Sequence, residues 1–221
     1  MVEHALMWDD ARRVVSRPSG PVAALALLVS DQRELDILVG IEGLTNPLAR
    51  EAAGILATIP PARRYVGPKS DLVMTPFVLP RESRFSDSSH GVLYAADTID
   101  TALRESGHHQ ALRLAATAAP AGTTVPMFAF SIRINTTVID VRSPAQEDSA
   151  IYDHDSYIAS QTLARNVRKA GHNGLLYNSV RNTGGECAAL FWPDAVKGAC
   201  SDHEWRYYFD GKQISEYAQV A

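Results

Sequence analysis

Arg84-Phe85-Ser86-Asp87-Ser88-Ser89-His90-Gly91-Val92-Leu93-Tyr94-Ala95-Ala96, followed by Thr101-Ala102-Leu103-Arg104-Glu105, sets the reading of the whole chain. A turn-rich loop, a short apolar strand and a helix follow one another here. They carry a guanidinium, a tyrosine and a carboxylate. An arginine grips phosphate oxygens with a forked donor set that lysine cannot reproduce, and a carboxylate supports developing positive charge. Each residue also has an ordinary reading: Arg84 as a surface group paired with Asp87, Tyr94 as a core ring, Glu105 as a solvated helix residue. Far downstream, Tyr177-Asn178-Ser179-Val180-Arg181 reads as a further wall of the same site.

The surroundings support a mixed fold. Asp97-Thr98 offers a cap for a helix from Ile99 to about His109. Leu72–Phe77, Gly91–Ala95, Met127–Ile134, Thr137–Val141, Gly174–Tyr177, Ala188–Phe191 and Trp205–Phe209 read as strands. Tyr157–Ala170 reads as a helix with basic residues at its end and Gly171 as its stop. The first sixty residues read differently. Apolar positions at Ala5, Leu6, Trp8, Val14 and Val15 predict a short helix over residues 3–16, interrupted at Arg17-Pro18-Ser19-Gly20-Pro21. Further helices are expected within Val22–Gly43 and over Leu48–Leu56, with Pro60-Pro61 ending the section. The expected fold class is therefore α+β, with an N-terminal helical region over residues 1–60 and the main domain over 61–221.

Composition narrows the function. Of 221 residues, 46% are hydrophobic and 21% charged, the balance of a folded globular chain. The 21 basic and 25 acidic side chains give a net charge of −4, which argues against a direct nucleic-acid binder. The longest apolar run, Pro21–Val29, falls short of the roughly 20 residues a membrane helix needs. Met1–Asp10 has no basic leader, so the cytoplasm is the expected compartment. Cys187 and Cys200 have no C-x-x-C spacing, and the histidines form no metal signature. Asp153-His154-Asp155 reads as a loop with capping aspartates, and no metal is expected. Ser179 lacks the surroundings of a hydrolase nucleophile elbow. It is free instead to hydrogen-bond a ribose, a phosphate or a carboxamide. Gly184-Gly185 beside it forms either an anion-holding turn or a plain hairpin turn.

In their order these residues resemble the RES-domain toxins of bacterial RES/Xre-type toxin–antitoxin systems. The likeness rests on Arg64, Arg84-Phe85-Ser86-Asp87, Gly91–Ala96, Thr101–Glu105, Ser160–Ala164, Gly174–Tyr177, Ser179-Val180-Arg181 and Gly184–Cys187. It runs from about Glu34 to Glu216. Leu93 and Ser106-Gly107-His108 depart from the pattern, and a glycine inside a helix weakens it by about 1 kcal/mol relative to alanine. The first thirty residues have no counterpart.

The resemblance implies a compact domain similar to the ADP-ribosyltransferase fold, with NAD as substrate. It implies Arg84, Glu105 and Ser179 as catalytic residues, and Arg64, Tyr65, Arg84, Tyr94 and Ser179 as NAD-binding residues. The implied activity is cleavage of the nicotinamide–ribose bond by a glycohydrolase or phosphorylase, with ADP-ribose transfer to a host protein as the alternative. A cognate Xre-type antitoxin is the implied partner. A catalytically inert binding protein on the same scaffold is the competing class.

Overall fold

A computed structural model of the chain describes residues 1–16, 37, 54–142, 150–154 and 156–220. The elements that position the site are strand β1 (Val2–Ser16), helix α1 (Ser70–Val78) and a small hairpin, β2 (Glu82–Ser83) and β3 (Ser86–Asp87). They continue with strand β4 (Leu93–Ala96), helix α2 (Ile99–Ala116), strand β5 (Thr124–Asp140) and helix α3 (Ile158–Lys169). Strands β6 (Gly174–Asn178), β7 (Glu186–Leu190), β8 (Val196–Phe209) and β9 (Ile214–Gln219) complete the order.

The seven longer strands form one sheet in the order β1-β4-β7-β6-β5-β8-β9, and β1 also pairs along β5. Pairing therefore runs around a ring. β1 meets β4 at Arg12↔Ala96, β4 and β6 flank β7, β6 joins β5 in parallel at Ile139 and Asp140, and β5 returns to β1. Alternation along the strands divides the core in two, because successive side chains point to opposite faces. Leu93, Ala95, Leu176, Ala188 and Leu190 face one cluster, which α1 covers with Val73, Met74, Phe77 and Val78. Ala96, Leu175, Tyr177, Cys187 and Ala189 face the other, covered by Ala102, Leu103, Ala111 and Leu114 of α2 and by Ala164 and Val167 of α3. Cys187 is buried, Cys200 exposed, and both are free thiols.

Three expectations are corrected. Residues 3–16 are not helical but form β1, paired with β5 from Val2↔Asp140 to Ser16↔Met127, so this part of the expected N-terminal helical region belongs to the sheet. The register shifts between Trp8 and Ala11. That irregularity breaks the two-residue alternation and leaves inward residues three apart, a spacing that imitates a helix. Leu72–Phe77 is not a strand but lies within α1. Its buried residues Val73, Met74, Phe77 and Val78 recur at helical spacing, which a six-residue apolar window is too short to reveal. The strands read at 127–134 and 137–141 are one strand, β5, and β9 was not anticipated. The helix read within Val22–Gly43 falls, apart from Ile37, outside the described residues. Of Leu48–Leu56 only the end is described, where residues 54–58 are helical.

α2 begins as expected. The Thr98 hydroxyl caps it, accepting from the Thr101 N–H at 3.3 Å. The helix then runs past His109 to Ala116, through Gly107. A Cβ on Gly107 would lie 2.2 Å from the Tyr217 hydroxyl, so the glycine is what lets β9 pack against the helix. Ser106 ties the same helix to β8, with its hydroxyl 2.6 Å from that of Tyr207.

Candidate active site

On the α2 face of the sheet, β1, β4 and α2 surround a cavity of about 300 Å³, at the small end of the range for ligand pockets. Arg12, Arg13, Arg84 and Arg181 line it, and among the described lining residues Glu105 is the one carboxylate. Tyr94, Tyr157, Tyr177, Met127 and Cys187 supply apolar surface, and His108 and His109 stand on the helix side. A chain with net charge −4 thus holds a cavity dominated by guanidinium groups. Such a lining attracts anions.

Glu105 is held in place from the opposite chain end. The Ser179 hydroxyl donates to its Oε1 at 2.6 Å, and the Val180 N–H donates to the same oxygen at 3.2 Å. Ser179 Oγ in turn accepts from the backbone N–H groups of Arg181 (3.2 Å) and Asn182 (3.0 Å). The turn carrying these residues closes through Ser179 N–H to the Gly185 carbonyl (2.8 Å) and Gly185 N–H to the Asn182 carbonyl (2.9 Å). It docks on α2 one turn before Glu105, where Asn182 Nδ2 donates to Thr101 Oγ1 at 3.0 Å. A Cβ on Gly185 would lie 2.5 Å from that same Thr101 oxygen, so only glycine lets the turn sit this close. The serine and the glycine pair read from the sequence therefore serve the carboxylate. Ser179 does not itself line the cavity.

Arg84 lies in the turn of the β2–β3 hairpin and is buried. The surface pairing with Asp87 is absent, because Asp87 engages Arg165. Instead, Arg84 Nη1 donates to the carbonyls of Ile151 and Asp153, both at 2.9 Å, and its guanidinium stacks 4.8 Å from the Tyr157 ring centroid. Among the described residues it makes no ion pair, so its charge is met only by carbonyl dipoles and a π face. Ser160 fixes the backbone here by donating to the Arg84 carbonyl at 2.6 Å. Tyr94 is locked by its hydroxyl, which accepts from the Phe85 N–H at 3.0 Å and lies 2.8 Å from Ser83 Oγ. Burial pushes its phenol up to about 12.

Arg64 and Tyr65 do not line this cavity. Arg64 donates to the Ile59 carbonyl at 2.9 Å and the Leu56 carbonyl at 3.0 Å, satisfying acceptors at the end of the 54–58 helix. Tyr65 is buried in the α1-side core, with its hydroxyl donating to the Pro68 carbonyl at 3.0 Å. An adjacent arginine and tyrosine in a loop look like ligand contacts in sequence. Helix capping and core packing claim them here.

Sequence reasoning missed Arg13, Tyr157, His108 and His109 as wall residues, while Tyr177 and Arg181, read as part of a further wall, do line the cavity. The available signal was Arg12-Arg13 set between Ala11 and Val14-Val15, which points inward only when read as a strand. Titration in the site follows from burial. His108 is lowered to about 4, first by desolvation and then by the charges of Arg181, His109, Arg84 and His154. His109 is also lowered, chiefly by burial, with Glu105 pulling the other way. Burial raises Tyr177 and Cys187 well above their usual values, which favours the neutral phenol and the neutral thiol.

Fold and site together define a mixed α+β protein with an arginine-lined cavity and one braced carboxylate. The RES domain family model matches residues 56–210, well over half of the chain. The chain belongs to the RES domain family. Among solved structures it is similar to the M. tuberculosis MbcT–MbcA toxin–antitoxin complex, at 10% sequence identity and a TM-score of 0.45, covering 90% of this chain and 86% of that one. No curated protein matches the sequence.

Proposed function

We propose that the protein is the toxin of a toxin–antitoxin pair and cleaves the nicotinamide–ribose bond of NAD. The observation that carries this reading is Glu105, braced by Ser179 and Val180 and, among the described residues, the single carboxylate at the wall of a cavity lined by four arginines. That distribution suits a ligand with a cationic ring at one end and a pyrophosphate at the other. The bond between C1′ and the pyridinium nitrogen breaks with its electron pair staying on nitrogen, so nicotinamide leaves as a neutral molecule and no general acid is needed. The reaction demands a held substrate and a negative group beside the positive charge that develops on the ribose. Glu105 supplies the second, and Ser179 is a positioning residue acting through it. Arg84 holds phosphate, and Tyr94 and Tyr157 pack against the ligand.

Water or phosphate then attacks C1′, giving ADP-ribose or its 1-phosphate. A protein side chain as acceptor would make the reaction a transfer of ADP-ribose to a host protein. An architecture related to the ADP-ribosyltransferases, a cytoplasmic site of action and an Xre-type antitoxin as partner belong to the same reading, on the strength of the family. The test is incubation of the purified chain with NAD while nicotinamide and ADP-ribose are followed, with and without phosphate. Turnover without a protein acceptor supports degradation. Label found only on a target protein makes the chain a transferase, and no nicotinamide release under any condition refutes both. Growth arrest on expression, relieved by the product of the neighbouring reading frame, tests the toxin role.

A further inference from the structure

We infer that Gln110 reads the base of the dinucleotide: its side-chain amide selects adenine by accepting from the exocyclic amino group and donating to the neighbouring ring nitrogen. The inference deepens the NAD reading of the cavity and rests on it. Gln110 is a specificity residue on this assignment and takes no part in the bond that breaks.

Gln110 lines the cavity on the same helix as Glu105. At 1.5 Å per residue it lies about 7.5 Å further along the axis. That direction leads to the far end of β1. α2 ends at Ala116 and the chain enters β5 at Thr124, close to where Ser16, the last residue of β1, pairs with Met127. Val14, Ser16 and Met127 line the cavity there. Val14 and Met127 share one buried cluster with Ala111, the residue next to Gln110. One end of the cavity therefore holds the braced carboxylate, and the other holds apolar walls and an amide.

The amide is unsatisfied. Gln110 Oε1 is buried, and among the described residues no donor meets it. An unpaired buried carbonyl costs free energy, and folded proteins leave few of them. A ligand donor that reaches Oε1 removes that cost, while the amide nitrogen adds two donors of its own. The matching ligand edge carries a donor and an acceptor side by side on a flat ring. Adenine has this edge in its amino group and adjacent ring nitrogen, and a glutamine amide meets both at once. A pyrophosphate offers acceptors alone, and a ribose has no flat face to lie against Val14 and Met127. Hypoxanthine puts an oxygen where adenine has its amino group, so Oε1 would face another acceptor. A site built to hydrogen-bond one group rejects an analogue that lacks it.

The experiment uses the full chain and the variant Gln110→Met, which keeps the length of the side chain and removes the amide. Release of nicotinamide is measured from NAD and from nicotinamide hypoxanthine dinucleotide, which differ only in the base. Calorimetry compares AMP with IMP. The wild type should favour NAD in kcat/KM by roughly tenfold or more, chiefly through KM, and should bind AMP more tightly than IMP by a similar factor. In Gln110→Met both preferences should shrink to within roughly threefold. Equal use of the two dinucleotides by the wild type overturns the assignment and leaves NAD cleavage standing. A preference that survives intact in Gln110→Met also overturns it. So does an equal loss on both dinucleotides, which would place the amide on the part they share. If the wild type cleaves neither, the NAD reading fails by itself and the nucleotide pair still decides: a preference for AMP lost in Gln110→Met upholds adenine reading, and equal affinities overturn it.

Discussion

Replacing Ser179 by alanine removes one oxygen with three hydrogen bonds: a donation to Glu105 at 2.6 Å and acceptances from the Arg181 and Asn182 N–H groups at 3.2 and 3.0 Å. A hydrogen bond to a charged group contributes about 1.5–3 kcal/mol. Among the described residues Glu105 then keeps only the Val180 N–H at 3.2 Å, which leaves its carboxylate free to turn away from the reacting ribose. If that whole contribution is lost at the transition state, at about 1.4 kcal/mol per tenfold, kcat falls roughly 10- to 150-fold. KM should change little, because Ser179 does not line the cavity. The two N–H groups lose their acceptor, and the melting temperature should drop by about 2–4 °C for each kcal/mol involved. Initial-rate kinetics of nicotinamide release, with thermal unfolding of the same preparation, measure both. A Ser179→Ala enzyme with kcat within twofold of wild type, where Glu105→Gln is inactive, would refute the positioning role.

Glu105→Gln should abolish NAD cleavage while leaving the melting temperature nearly unchanged, because an amide oxygen can still accept from Ser179 and Val180; an active, folded variant defeats the carboxylate's role. Gly185→Ala places a methyl group 2.5 Å from Thr101 Oγ1 and should cost about 1–3 kcal/mol, read as a lowered melting temperature that Thr101→Ala partly restores. His108 has its folded value lowered to about 4 from an ordinary 6.5, so between those values the unfolded chain binds more protons. Its contribution to stability is therefore complete above about 6.5 and is lost as pH falls toward 4. His108→Gln should flatten the fall in melting temperature between pH 7 and pH 5, and an unchanged slope counts against the assignment.

The helix from Ile99, its Thr98 cap, the helix before Gly171 and the short inner strands were legible because their signals are local: a capping hydroxyl, a 3.6-residue apolar period, a glycine at φ 91°. Arg84, Tyr94, Glu105 and Ser179 could be singled out as residue types suited to a charged ligand. Their arrangement could not. Glu105 and Ser179 touch across 74 residues because β7 pairs with both β4 and β6, which brings the 179–185 turn onto α2. No local signal carries that contact. Arg64 and Tyr65 look as functional in sequence as Arg84 does, yet they face carbonyls and core on the other side of the sheet. Arg13 looks like one more surface charge on a helix until the irregularity after Trp8 and the pairing with β5 place it at the cavity wall with its Nε out of reach of water. Residue chemistry and short-range periodicity are written along the chain. Which charges lose their water, and which groups meet them there, depends on long-range strand pairing, and only the folded chain sets that.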